Sequence, residues 1–293
     1  MAQFHIMAVA VNKHHRMYDE LIAIVRQSLI DLGHGCTVAQ NYFHTNAHNV
    51  LIGGSIFAAR HLELAEVLRG KPYILYQIEA LDDARGLLKD WPEYRELMSH
   101  AACIWDYGPA STAYLRRSGF PRVSYLPPGY HPCLETFERA APEVDFVFCG
   151  SPHPRRLAVV TALRERGLTV ALNPDVYGKA RNQLIARARI ALNIHAWDDI
   201  DALETVRLSL LLANRRFVIS ERGDHDPYQG GVVYADYDSM VEVCLAWLAR
   251  TDAERDAIAL NGYKALRQID MIERLSGALP EALDALAAHR RSD

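Results

Sequence analysis

Short apolar runs rich in β-branched and aromatic residues alternate along this chain with longer stretches whose apolar positions recur at helical spacing. Runs at 4–11, 36–39, 50–52, 73–78, 102–105 and 123–126 predict strands, because a continuous apolar run bounded by turn residues suits a strand covered on both faces. Patterns over 18–32, 60–68, 91–100 and 110–118 predict helices, the first carrying Leu21, Ile22, Ile24, Val25, Leu29 and Leu32 at that spacing. Gly33 and Gly35 follow it as expected C-cap residues. The rhythm breaks at Leu126-Pro127-Pro128-Gly129-Tyr130-His131-Pro132, where three prolines and a glycine suit neither a helix nor a central strand. A polar stretch over 135–143 completes a linker. The alternation then restarts with strands at 144–149, 168–172, 190–194, 217–220 and 232–234, and helices at 154–166, 179–188, 203–213, 237–248, 252–268 and 272–289.

Strands alternating with crossover helices imply parallel sheets with helices on both faces and ligands at the carboxyl ends of the strands. The expected class is α/β, with two Rossmann-like domains of nearly equal size facing a cleft and a boundary at 135/136. The length of 293 residues accommodates two domains. Half of the residues are hydrophobic and 23% are charged, which excludes a disordered or fibrous chain. A net charge of −4 leaves no footprint for a nucleic acid, so none is expected as a partner. No run approaches about 18 uninterrupted apolar residues, so no transmembrane segment is expected. Cys36, Cys103, Cys133, Cys149 and Cys244 are scattered without a CxxC spacing, which suits reduced thiols and a cytoplasmic location.

Sugar transferases, two-domain dehydrogenases and periplasmic binding proteins share this architecture, so particular residues must decide between them. No GxGxxG follows either first strand: Asn12-Lys13-His14-His15 follows one and Gly150-Ser151-Pro152-His153-Pro154 the other, which argues against a dinucleotide. At the second, Gly150 and Ser151 let a ligand approach the backbone, and the next helix opens with Arg155 and Arg156. Open N–H groups, the helix dipole and a guanidinium suit a diphosphate; two solvated arginines are the plainer alternative. Further on, Asn193 and His195 end a buried strand, and Glu204 and Arg207 stand three apart on the following helix. A glutamate accepts hydrogen bonds from ribose hydroxyls while an arginine pairs a phosphate, against the alternative of an ordinary intrahelical pair. Tyr177, beside Gly178, is placed to stack on a nucleobase or simply to pack a turn. Asp198-Asp199-Ile200-Asp201 reads as solvated, and the 13 histidines show no HxxxH or HExxH spacing, so no metal and no cofactor are expected.

The ordered run Ile104-Trp105-Asp106-Tyr107, Tyr114-Leu115, Gly119 and Tyr125 to Pro132 resembles the end of the N-terminal domain of GT-B glycosyltransferases of the group 1 class and their spore-maturation-type relatives. The later set Phe148-Cys149-Gly150-Ser151, Arg155-Arg156, Val176-Tyr177-Gly178-Lys179, Arg181, Ala191 to His195, Leu203-Glu204, Arg207 and Leu212 to Ser220 is similar to that class's donor-binding domain. The resemblance covers about 70–270. It implies an acceptor-side domain over 1–135, a nucleotide-sugar-binding domain over 136–270 and a helix over 271–293 packing back on the first domain. It places Gly150, Ser151, Arg155 and Arg156 beside the diphosphate and Glu204 near the ribose. The sequence departs from the class where Glu204 lies upstream of its second signature glutamate, near Ser209, and where Asn214 replaces a glycine.

The reaction implied is metal-independent transfer of a sugar from a nucleotide diphosphate donor to an unidentified acceptor hydroxyl. An inverting transfer needs a general base, for which the ends of N-terminal strands offer Glu79 and Asp106, with His14 by analogy. Each has a plainer role, as a loop residue or as a carboxylate capping the next helix. His131 has access to the cleft or shapes the hinge. The alternatives are a catalytically silent GT-B-like module that binds a glycan, a nucleotide or a partner and, less favoured, a nucleotide-sugar epimerase.

Overall fold

The computed structural model describes residues 1–10, 13–57, 61–82, 88, 91–120, 122–138, 140–199 and 201–292, without the side chains of 14, 56, 57, 61, 62 and 290–292. Asn12 and Ile200 lie outside the described residues, as do one end of the run 4–11 and the first position of the helix expected over 60–68. The chain divides into two units, Met1–Pro128 with Asp270–Asp293, and Gly129–Ile269.

The first unit begins with β1 (Gln3–Ala8), α1 (Asp19–Asp31), β2 (Gly35–Gln40), β3 (His48–Ile52), α2 (His61–Leu68), β4 (Tyr73–Gln77), α3 (Pro92–His100), β5 (Cys103–Asp106), α4 (Pro109–Arg117) and β6 (Val123–Tyr125). Its sheet runs β2-β1-β3-β4-β5-β6, parallel throughout. Every residue of β4 is buried, as its apolar run Tyr73–Tyr76 requires, and Leu75 and Ile104 pack with Leu97 and Leu115 from the flanking helices. The turn after α1 is made at Gly33, with φ +83°. Gly35 is no cap, contrary to expectation: it opens β2, its N–H donates to the Ala2 carbonyl, and a Cβ there would strike the Gln3 side chain.

The second unit contains β7 (Val144–Phe148), α5 (Pro154–Glu165), β8 (Val170–Leu172), α6 (Gly178–Ala186), β9 (Ala188–Asn193), α7 (Thr205–Ala213), β10 (Val218–Glu221), β11 (Val233–Ala235), α8 (Met240–Leu248) and α9 (Asp252–Arg267). Its parallel sheet runs β11-β10-β9-β7-β8. α9 starts at a capping box: the Glu254 N–H donates to the Thr251 hydroxyl, and the Thr251 N–H donates back to the Glu254 carboxylate. Residues 129–137 belong with this unit because they bond to it. The Tyr130 N–H donates to the Ile269 carbonyl, Tyr130 and Tyr263 hydroxyls donate to Glu135, and Asn214 accepts from the N–H groups of Thr136 and Phe137. The chain then returns to the first unit as α10 (Met271–Ser292), which packs on α1 and meets β4 and β5, with the Ser124 hydroxyl donating to Glu281 at 2.7 Å. Among the described residues no helix is long and apolar enough to cross a membrane.

In each sheet the order reverses beside the first strand, between β1 and β3 and between β7 and β9. Connections that leave in opposite directions at such a reversal make the carboxyl ends beside it the place where open α/β sheets bind ligands.

Candidate functional site

The strand β7 ends in Phe148, and Cys149-Gly150-Ser151-Pro152-His153 leads into α5. A Cβ on Gly150 would lie 2.9 Å from the Phe148 ring and 3.2 Å from a terminal nitrogen of Arg207. The absence of a side chain therefore lets the Arg207 guanidinium, from the first turn of α7, lie against bare backbone. Arg156, from the first turn of α5, shares the Phe148 ring with it: the guanidinium carbons stand 5.2 and 5.4 Å from the ring centroid. Arg156 is buried and donates to the Ile194 carbonyl at 2.8 Å, to the Ser151 carbonyl at 3.3 Å and to Glu204 Oε1 at 3.3 Å. Arg207 donates to Asn193 Oδ1 and lies 3.7 Å from Glu204 Oε2, while the Asn193 amide donates to the Ser220 hydroxyl.

Positive charge is in excess here. Burial, and next the neighbouring Arg207 charge, pushes Arg156 down to about 10. Burial pushes the Cys149 thiol up to about 11 against the opposing pull of Arg181 and Arg207, which places a further buried cation near the end of β7. Helices α5 and α7 both start here with no side-chain cap and no acidic residue in the first turn, so their N-terminal dipoles add to the same field.

His195 is fully buried, its backbone N–H donating to Glu221 Oε2 at 3.0 Å and its Nε2–H to the Arg222 carbonyl at 3.1 Å. Its Nδ1 lies 3.7 Å from Glu204 Oε2. Neither atom has a hydrogen-bond partner among the described residues.

Arg155 points elsewhere. Its guanidinium forms a two-pronged ion pair with Glu221 and stacks 3.6 Å above the Tyr237 ring, whose hydroxyl donates to the Arg155 carbonyl. The structure thus separates the two arginines expected at the diphosphate: Arg156 joins Arg207, and Arg155 ties α5 to β10. Phe148, Glu221 and Tyr237 complete the cluster, though among them only Glu221, an acid directly after a buried strand run, carries a signal readable from sequence. Tyr177 is the N-cap residue of α6, on the loop after β8, the strand on the opposite side of β7 from β9. Among the described residues no group of three or more His, Cys, Asp or Glu is placed to hold a metal ion.

In the first unit Asp106, at the end of β5, has no exposed surface and accepts from the Gly108 N–H, the Ser111 and Thr112 hydroxyls and the Gln77 amide. It fastens the start of α4, and a substrate hydroxyl would have to displace these donors to reach it. Burial pushes this carboxyl up to about 6, with the hydrogen bonds opposing. The folded unit therefore holds the Asp106 proton more tightly than the unfolded chain, so stability falls as pH rises from about 4 to about 6, by roughly 3 kcal/mol, and is level in this respect above that window. Urea unfolding across pH 4–7 should show this decline against Asp106→Asn, and a difference between the two that is flat or rising with pH refutes it.

Glu79 is half-buried just beyond β4. Its backbone N–H and carbonyl are both held by the Gln77 side chain, at 2.6 and 2.8 Å, and its charge acts on Tyr18 and Tyr94. His14 falls in the turn Lys13–Tyr18, and its side chain lies outside the described residues. His131 is buried and caps the turn Pro132–Leu134, accepting from the Cys133 N–H at 3.0 Å.

Residues 130–277, just over half of the chain and nearly all of the second unit, match the family model described as glycosyl transferase-like. An uncharacterised protein of Acanthamoeba polyphaga mimivirus is 26% identical over 149 residues, covering 47% of this chain and 49% of that one. A second from the same virus is 31% identical over 115 residues, covering 37% and 40%. The chain thus spans no more than about half the length of these curated relatives. Among solved structures, the avilamycin A biosynthesis glycosyltransferase AviGT4 aligns with a TM-score of 0.56 at 14% identity, over 98% of this chain and 99% of that one. A sucrose-phosphate synthase from Thermosynechococcus elongatus aligns at 0.58 and 11%, over 99% and 98%. The phage T4 glucosyltransferase in complex with UDP-glucose aligns at 0.55 and 11%, over 99% of both. At such identities the likeness shows the fold, the GT-B class of two Rossmann-like parallel sheets. Together with the family match over the residues that bear the arginine cluster, it means that this chain belongs to the glycosyl transferase-like family.

Proposed function

We propose that the chain is a glycosyltransferase that moves a sugar from a nucleoside-diphosphate sugar to an acceptor hydroxyl without a metal ion, holding the donor on its second unit. The observation that carries this reading is the convergence of Arg156 and Arg207 with the uncapped starts of α5 and α7 at the ends of β7 and β9. A diphosphate between two mutually repelling guanidinium groups relieves that repulsion and gains charge-assisted hydrogen bonds. As the bond from sugar to phosphate breaks, negative charge grows on the leaving diphosphate, and the same groups stabilise it. Glu204, whose side chain is 25% exposed beside the two arginines, is the carboxylate suited to accept from the hydroxyls of a ribose. Gly150 and Ser151 supply the close backbone, Asn193 orients Arg207, and Arg155 positions the site through Glu221. Glu79 and His14 stand as candidates for the base of an inverting transfer, whereas a retaining one needs none.

Calorimetric titration with UDP, GDP, ADP and CMP tests the donor site. UDP comes first because a neighbour of the same fold is a UDP-glucose complex. Binding of one nucleoside diphosphate, weakening as salt is added, is expected; binding by none overturns the reading. A second reading, a donor-binding module without transfer, is favoured by the sealed Asp106 carboxylate. Release of UDP from a UDP-sugar in the presence of acceptors excludes it.

A further inference from the structure

Trp197 lies on the loop between β9 and α7, two residues after His195, and leaves 49% of its surface exposed. Its indole stands edge-on against the His153 ring, with centroids 4.6 Å apart and planes at 66°. His153 is the residue before α5, so the aromatic pair bridges the two loops that flank the reversal of strand order. One of those loops leads to Arg156 and the other to Glu204 and Arg207. The carboxylates Asp198, Asp199 and Asp201 follow at once and are exposed, and the Asp198 charge acts on Arg155. A large aromatic that leaves about half of its surface exposed beside a cluster of cations is a platform for the uncharged part of a ligand whose charged part those cations hold.

We propose that Trp197, with Asp198 and Asp199, recognises the sugar of the donor and selects neutral or amino hexoses over carboxylated ones. This rests on the donor site proposed above. The C–H face of a pyranose ring packs on an indole, and the ring hydroxyls donate to carboxylates. The orientation follows from charge: three carboxylates within five residues repel a diphosphate, while Arg156 and Arg207 attract it. The phosphates therefore occupy the arginine side and the sugar the indole side. A hexuronate brings a further negative charge to the acidic loop and binds worse.

The test titrates UDP, UDP-glucose and UDP-glucuronate into the unmodified chain, Trp197→Ala, Trp197→Phe and the double variant Asp198→Asn with Asp199→Asn. Trp197→Ala should weaken UDP-glucose by about fivefold or more and leave UDP unchanged, with Trp197→Phe in between. UDP-glucuronate should bind the unmodified chain about tenfold more weakly than UDP-glucose, and the double variant should narrow that gap. Equal losses for UDP and UDP-glucose in Trp197→Ala would put the base on the indole and overturn the proposal, as would no loss for either. Equal binding of the two sugar nucleotides would overturn the charge selection. Failure of UDP to bind the unmodified chain would remove the donor site itself, an outcome distinct from these.

Discussion

Replacing Arg207 by methionine is expected to weaken nucleoside diphosphate binding by about 10- to 100-fold while leaving the chain folded, since a hydrogen bond from a charged donor contributes about 1.5–3 kcal/mol. Arg207 is the better target of the two arginines because of what it leaves behind. Its side chain is 24% exposed, Glu204 keeps Arg156, and Asn193, which loses a donor to its Oδ1, keeps its amide bond to Ser220. Arg156 is different: it is buried, and its removal takes the side-chain donor from the Ile194 carbonyl and from Glu204 Oε1, so lost binding would be mixed with lost stability. Lysine at 207 should restore part of the affinity, because it keeps the charge and loses the planar fork. Unaltered affinity with unaltered unfolding would take Arg207 away from the ligand.

Arg155→Met should destabilise the second unit by about 3–5 kcal/mol and lower its unfolding temperature by roughly 10 °C. The pair it breaks is enclosed, with side-chain exposures of 16% for Arg155 and 9% for Glu221. Once the guanidinium is gone, the Glu221 charge retains the His195 N–H. Adding Glu221→Gln to Arg155→Met should recover most of the loss, because the neutral amide oxygen still accepts that N–H and the buried carboxylate left without its Arg155 partner is gone. Thermal unfolding followed by circular dichroism measures both. A loss under about 1 kcal/mol for the single variant would place the pair with ordinary surface ion pairs.

Much of the candidate site is legible in the chain because it depends on local periodicity. Gly150-Ser151 after one strand and Asn193 to His195 at the end of another mark carboxyl ends, where ligands bind in parallel sheets. The three-residue spacing of Glu204 and Arg207 puts them on one side of a helix, and the structure keeps them 3.7 Å apart. Adjacent residues on a helix are the opposite case. Arg155 and Arg156 project about 100° apart, at 3.6 residues per turn, and the pattern does not say which of them faces the site. Asp106 and Glu79 look equivalent in the same way, each an acid after a buried strand. Only the turn into α4, which brings Gly108, Ser111 and Thr112 onto Asp106, distinguishes a sealed cap from a half-buried carboxylate.

The sequence by itself determined the element types, the restart of the α/β alternation after the proline-rich break and the residues that end the strands, since each follows from a period of two or 3.6 or from a restricted φ. Tertiary structure alone decided the strand order that makes β7 and β9 neighbours, the pairing of Arg155 with Glu221 and the meeting of Trp197 with His153. Those contacts join residues far apart in the chain, and whether they form depends on which surfaces the two sheets bury, a quantity that no local window of sequence contains.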